Sequence, residues 1–155
     1  MSLTFAMIKP DAVLNKKVGE IISIIEENGF NIKTMQKRLL CSFEAQFLYK
    51  GHEGKSFYHK LIEFTSSGPV VLMVLEKDDC VNQWRKTMVD IRKKYSGKEP
   101  QENAVHGSDS DESAVYELGW FTWIDVRDII ANPLQSSEED NTGANFIKGT
   151  IRIFP

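Results

Sequence analysis

Residues Val70-Val-Leu-Met-Val-Leu75 are apolar at every position, and this run limits the fold more than any other part of the chain. A strand with one face in water alternates apolar and polar side chains, whereas a strand that is apolar on both faces must be covered on both. Ser67-Gly68-Pro69 leads into the run, which is far too short to span a membrane. It reads as a central strand under helices. With 155 residues the chain can enclose one core without a disulfide or a structural metal.

The neighbouring segments supply partners for such a strand. Leu3–Ile8 is a second apolar run, closed by Lys9-Pro10-Asp11, where proline removes a ladder donor and turns the chain out of the sheet. Val18, Ile21, Ile22 and Ile25 recur at helical spacing and stop at Asn28-Gly29, predicting an amphipathic helix over 17–28. Asn31–Leu40 reads as a strand of imperfect alternation with basic residues outward. Phe43–Lys50 and Phe57–Thr65 read as short helices, and Val81, Trp84 and Met88 start another that continues through Ile91 and Tyr95 until Gly97 and Pro100. A short strand with His106 follows. Asp109 and Glu112 then form a capping pair for a helix from Asp111 to Leu118.

Strand, helix, strand, helices, strand, helix, short strand, helix is the order of a split βαβ, ferredoxin-like α+β sandwich, with a four-stranded antiparallel sheet covered by helices. Residues 1–132 form this domain. After Asn132-Pro133 comes a polar link, Ser136–Gly143, and an apolar ending with Ile147, Ile151, Ile153 and Phe154. Residues 133–155 are therefore expected to be a tail that packs on the core or on a neighbouring subunit.

The chain has 19 basic and 22 acidic residues, net charge −3. No basic field points to nucleic acid or an anionic membrane as partner, so any anion site must be local. Cys41 and Cys80 lack paired or metal-type spacing and are expected to be reduced thiols in the core of a soluble, cytoplasmic protein. Gly54-Lys55-Ser56 fails as a P-loop because Tyr49 stands where its first glycine belongs, and His52-Glu53 lacks the second histidine of a zinc protease at Ser56. His52 and His59 read as surface residues. No acidic or histidine cluster has the spacing of a metal cage.

Asn103-Ala-Val-His106-Gly-Ser-Asp-Ser110 carries the chemistry. A histidine that attacks another molecule needs an open face, and the small residues after His106 leave one. The acidic helix start just beyond supplies unpaired N–H groups and positive partial charge, which suit phosphate.

With the residues below, this octapeptide resembles the histidine signature of the nucleoside diphosphate kinase family. The resemblance covers residues 3–120. It implies that His106 carries a phosphoryl group and that Glu117, eleven residues on, holds its other ring nitrogen. Lys9, in the Lys-Pro-Asp segment, would reach the phosphates and ribose. Tyr49, Phe57 and Leu61 fall at nucleotide-cleft positions, with Phe57 stacking on the base, which would give broad base tolerance. Arg85 matches the first phosphate-binding arginine and Asn103 the residue that bonds the ribose 3′ hydroxyl. The family's loop between its two arginines is here shorter by about ten residues, a small entropic change in itself, and Arg92 and Thr87 are the candidates for the second arginine and the threonine at the phosphates. Because that loop builds contacts in hexameric members, a dimer is favoured among homo-oligomers. The reaction implied is ping-pong transfer of the γ-phosphate of ATP to nucleoside diphosphates, with Mg²⁺ bound through the nucleotide phosphates. The rivals are a catalytically weak or inactive nucleotide-binding regulatory module of the same fold, and a phosphohistidine carrier without a nucleotide cleft.

Overall fold

The computed structural model describes residues 1–131. Strands β1 (Ser2–Ile8), β2 (Asn31–Arg38), β3 (Val70–Lys77) and β4 (Val105–Gly107) form one antiparallel sheet in the order β2-β3-β1-β4. The fold is the expected ferredoxin-like α+β sandwich. Helices α1 (Pro10–Leu14), α2 (Val18–Glu27), α3 (Ser42–Leu48), α4 (Tyr58–Thr65), α5 (Cys80–Tyr95) and α6 (Asp111–Ala131) surround it. The expected tail over 133–155 lies outside the described residues. No helix among the described residues is long and apolar enough to cross a membrane.

The unbroken apolarity of β3 has the predicted cause, because both faces of the sheet are covered. On one, Val71, Met73 and Leu75 join Ala6 and Ile8 against Ile21 and Ile25 of α2 and Trp84, Met88 and Ile91 of α5. On the other, Val70 and Leu72 join Phe5 and Met7 against α3, α4 and α6, with Trp120 and Ile124 buried there. Burying an aliphatic or aromatic side chain of this size stabilises by roughly 1.5–3 kcal/mol, so these two layers dominate the folding energy.

Helix α2 ends as its sequence predicts. Gly29 takes φ +77°, its N–H donates to Glu26 O and the Phe30 N–H to Ile25 O, after which Phe30 enters the core. Other expectations need correction. Strand β2 stops at Arg38 and is bulged between Ile32 and Thr34, which is why its alternation is imperfect. Pro10 does more than close β1, since it starts α1 from a position where its missing N–H costs nothing. Cys80 is buried but Cys41 is exposed; its N–H donates to Glu44 Oε2 at 2.9 Å at the head of α3. Helix α6 runs past Leu118 to Ala131. Its cap is Ser110, whose Oγ accepts the Ser113 N–H at 3.2 Å, and not Asp109.

Strand β4 places alternate residues on opposite faces. His106 pairs with Met7 and shares its side of the sheet, whereas Gly107 faces α5. A Cβ at Gly107 would come within 2.3 Å of both Cδ1 and Nε1 of Trp84, which is fully buried and cannot move aside. Gly107→Ala should therefore destabilise the protein by about 1–3 kcal/mol, the usual range for overpacking. Urea unfolding measures it, and an unchanged midpoint would contradict the packing described.

Candidate active site

The end of β1, the approach to β4 and the middle of α5 meet beside His106. Asn103 to Val105 form a γ-turn, with Val105 N–H donating to Asn103 O at 2.8 Å and Ala104 at φ +68°, a strained conformation for a residue with a Cβ. Two bonds hold it there. The Lys9 N–H donates to Ala104 O at 2.8 Å, and the Ala104 N–H donates to Asp11 Oδ2 at 3.0 Å. The turn swings β4 so that His106 enters the cleft between α6 and Tyr49.

The imidazole has one defined orientation. Its Nε2 lies 2.9 Å from Glu117 Oε1, the other carboxylate oxygen accepts the Ser108 hydroxyl, and Tyr49 meets the ring edge-on at 5.4 Å between centroids. A carboxylate already receiving one donor is an acceptor for Nε2–H, so the neutral ring keeps its lone pair on Nδ1.

Cations gather on the far side. Lys9 is 4% exposed, and its Nζ donates to Asn103 Oδ1 at 2.9 Å. Burial lowers its pKa to about 8, opposed by Asp11 and reinforced by Arg92. Arg92 Nη2 donates to Val105 O at 2.9 Å, while its buried Nε has no partner. Arg85 Nη1 donates to Asp109 Oδ1 at 2.7 Å across the mouth. These groups line a cleft of about 510 Å³ together with Tyr49, Phe57, Leu61, Asn103 and His106. A nucleotide is within the size range of ligands that such clefts take.

Glu117 lies behind the histidine, against its Nε2. One expected cleft position is elsewhere. Thr87 is buried in α5, with its hydroxyl donating to Gln83 O at 3.1 Å, and does not line the cleft. At about 100° per residue, two positions beyond Arg85 point to the opposite side of a helix, whereas Arg92, seven beyond, returns to the same side. His52 corrects the sequence reading in the other direction. It lines the cleft, parallel to Tyr49 at 5.8 Å and 5.7 Å from the Phe57 ring, and burial lowers its pKa. Its position three beyond Tyr49 was the available signal. Ser108, which donates to Glu117, and Asp11, which accepts from Ala104, carry no sequence signal for these roles.

No group of three or more His, Cys, Asp or Glu among the described residues could hold a metal ion. Four cations, Lys9, Lys60, Arg85 and Arg92, line the cleft against two carboxylates, Glu99 and Asp109, a surplus of positive charge that fits an anion.

The family model for nucleoside diphosphate kinase matches residues 2–124. The chain belongs to the nucleoside diphosphate kinase family and is an enzyme of it. It is 44% identical over 131 residues to the nucleoside diphosphate kinase of Geobacter sulfurreducens, covering 78% of this chain and 95% of that one. The Sulfolobus acidocaldarius enzyme is 42% identical over 135 residues, 81% and 92% of the two chains. Among solved structures, Aquifex aeolicus nucleoside diphosphate kinase superposes with TM-score 0.73 at 32% identity, covering 77% of this chain and 94% of that one. A halophilic nucleoside diphosphate kinase from Halobacterium salinarum in complex with CDP gives 0.71 at 30% identity, covering 77% and 86%.

In this kinase domain the buried ammonium of Lys9 opposes folding while no anion is bound. Its folded pKa, about 8, lies below the unfolded 10.5. The unfolded state therefore holds the proton more tightly, and stability from this group rises as pH climbs through that window. The cost below pH 8 is on the order of 3 kcal/mol. Lys9→Met should raise the melting temperature of the nucleotide-free protein at pH 7 by a few degrees, a gain that shrinks towards pH 10. Calorimetry at both pH values checks this; a variant that melts lower at pH 7 would contradict it.

Proposed function

We propose that this enzyme transfers the γ-phosphate of ATP to nucleoside diphosphates by a ping-pong mechanism through phosphohistidine at His106. The observation that carries the reading is the pairing of Nε2 with Glu117, which leaves the Nδ1 lone pair free beside a cleft walled by Lys9, Arg85 and Arg92. Nδ1 attacks the γ-phosphorus, the bond to the β,γ-bridging oxygen breaks, and ADP departs with that electron pair. The ring becomes a phosphorylated imidazolium whose Nε2–H remains on Glu117, so no proton has to move. In the second half a terminal oxygen of the nucleoside diphosphate attacks the phosphorus and the pair returns to Nδ1.

Lys9 and Arg92 neutralise charge on the transferring phosphoryl group, and Arg85 exchanges Asp109 for a phosphate. Asn103 accepts from the Lys9 ammonium and faces the sugar, and Phe57 with Leu61 offers an apolar wall to the base. Stacking on a ring face does not distinguish bases, so broad nucleoside tolerance follows. Mg²⁺ comes in on the nucleotide phosphates and withdraws negative charge from them. We further infer a cytoplasmic homo-oligomer, a dimer being favoured over a hexamer by the shortened segment between Arg85 and Arg92.

With γ-labelled ATP and Mg²⁺, acid-labile and base-stable label should appear on the wild type and be absent from His106→Ala. Equal nucleotide affinity without any label on the wild type would instead favour the regulatory-module reading. Glu117→Gln keeps the shape and removes the charge that faces the imidazolium. A charge-assisted hydrogen bond is worth about 1.5–3 kcal/mol, so its phosphorylation rate should fall about 10- to 100-fold in rapid-quench measurements.

A further inference from the structure

Outside the cleft, α3 and α6 present an aromatic surface that no catalytic contact explains. Phe43 and Phe47 are one turn apart on α3, Tyr116 and Trp123 meet them from α6, and Val115 is exposed next to Tyr116. Their exposures are 56%, 40%, 73%, 42% and 38%. With about 200 Å² for each ring, the patch exposes on the order of 400 Å², within the range of the largest apolar patch on a soluble monomer, which is often functional. The rings form one continuous surface: Phe47 stacks on Tyr116 at 6.4 Å and on Trp123 at 5.3 Å, and Phe43 meets Trp123 at 6.4 Å. The Tyr116 hydroxyl donates to Phe47 O at 2.7 Å, so the patch has no polar demand at that point.

We propose that residues 144–155 of this same chain fold back and dock on this patch. From Ile147 to Ile153 the sequence reads Ile-Lys-Gly-Thr-Ile-Arg-Ile, with Ile147, Ile151 and Ile153 on one alternation and Lys148, Thr150 and Arg152 on the other. A segment with period two has one apolar face when extended, and it needs an apolar surface to lie on. Extended, these seven residues span about 20 Å. Val115 to Trp123 spans about 12 Å along α6, so the lengths suit. The chain leaves α6 after Ala131, and residues 132–146 can reach up to about 50 Å, roughly twice the ~24 Å back along α6 to Val115. The charges of the segment are positive, and those beside Val115, Asp111 and Glu112, are negative and exposed. A tether of this length gives an effective concentration on the order of millimolar, which favours the chain's own segment over a second copy at micromolar protein. Docked there, the segment would clamp α3, which ends at Tyr49, to α6, which carries Glu117.

Hydrogen exchange on the full chain tests this. Peptides covering 144–155 should be protected in the wild type and exchange at least tenfold faster in Phe43→Asp/Phe47→Asp, while His106 still takes label as a check on folding. The reciprocal variant, Ile151→Asp/Ile153→Asp, leaves the domain untouched and should speed exchange in α3. Exchange of 144–155 at the unprotected rate in the wild type overturns the proposal, as does protection that survives both variants. Protection that grows with protein concentration means a second copy occupies the patch, and overturns it as well.

Discussion

Strand β4 is three residues long, too short for its own ladder to fix the imidazole it carries, and the site depends on the contacts that make up the difference. Trp84 Nε1 donates to His106 O at 3.3 Å and Arg92 donates to Val105 O at 2.9 Å, both from α5. From the other side, the main-chain N–H of Lys9 and the carboxylate of Asp11 hold the C=O and the N–H of Ala104. The strand is thus located by the residues that charge the cleft. At Arg92 position and electrostatics cannot be altered separately, because its guanidinium is itself the anchor, whereas Lys9 holds Ala104 through its main-chain N–H and its ammonium can be removed without losing that bond. Gly107 completes the arrangement by letting the strand approach the face of Trp84 at a distance that no side chain would permit.

Much of this was legible in the amino-acid sequence, for reasons that differ from residue to residue. The central position of β3 follows from its apolarity alone, and the end of α2 from Asn28-Gly29, because burial and left-handed backbone restrict composition strongly. The bulge in β2 leaves only a blurred alternation, since hydrogen-bond register imposes little on side-chain type. His106 and Glu117 were readable as a pair only through the family resemblance; eleven residues apart, they meet because one lies on a strand and the other in the second turn of the helix that follows. Thr87 was misplaced because an offset along a chain says nothing about direction until helical phase is counted. His52 was misread for the opposite reason: its 3₁₀ turn, Lys50–His52, carries no periodic signature, yet brings the ring alongside Tyr49. Asp109 looked like a cap but is taken by Arg85, and Ser110 caps in its place.

Four cations line the cleft, and three of them, Lys9, Arg92 and Arg85, are in three different conditions. Lys9 is buried and its ammonium is disfavoured by desolvation. Arg92, also lowered by burial, cannot lose its proton in the working range, and leaves a buried Nε without a partner. Both therefore carry an electrostatic cost in the absence of an anion, and a phosphate entering the cleft relieves it. In the mechanism proposed above, part of the affinity for phosphate would come from that stored cost, in addition to the contacts formed.

Arg85 is in the opposite situation, and its pairing explains how the cleft can stay open to substrate. The Arg85–Asp109 bridge joins side chains that are 46% and 74% exposed, and an ion pair in such surroundings is worth about 0–1 kcal/mol. Asp109 therefore keeps the guanidinium beside the cleft without holding it tightly, and a multiply charged phosphate can displace the carboxylate at little cost. A buried partner in the place of Asp109 would trap the arginine, because separating a desolvated pair costs several kcal/mol. Lys9 is buried and Arg92 half-buried beside β4, whereas Arg85, which anchors no strand, is at the surface. The division keeps the histidine fixed while leaving one side of the cleft free to rearrange around an incoming nucleotide.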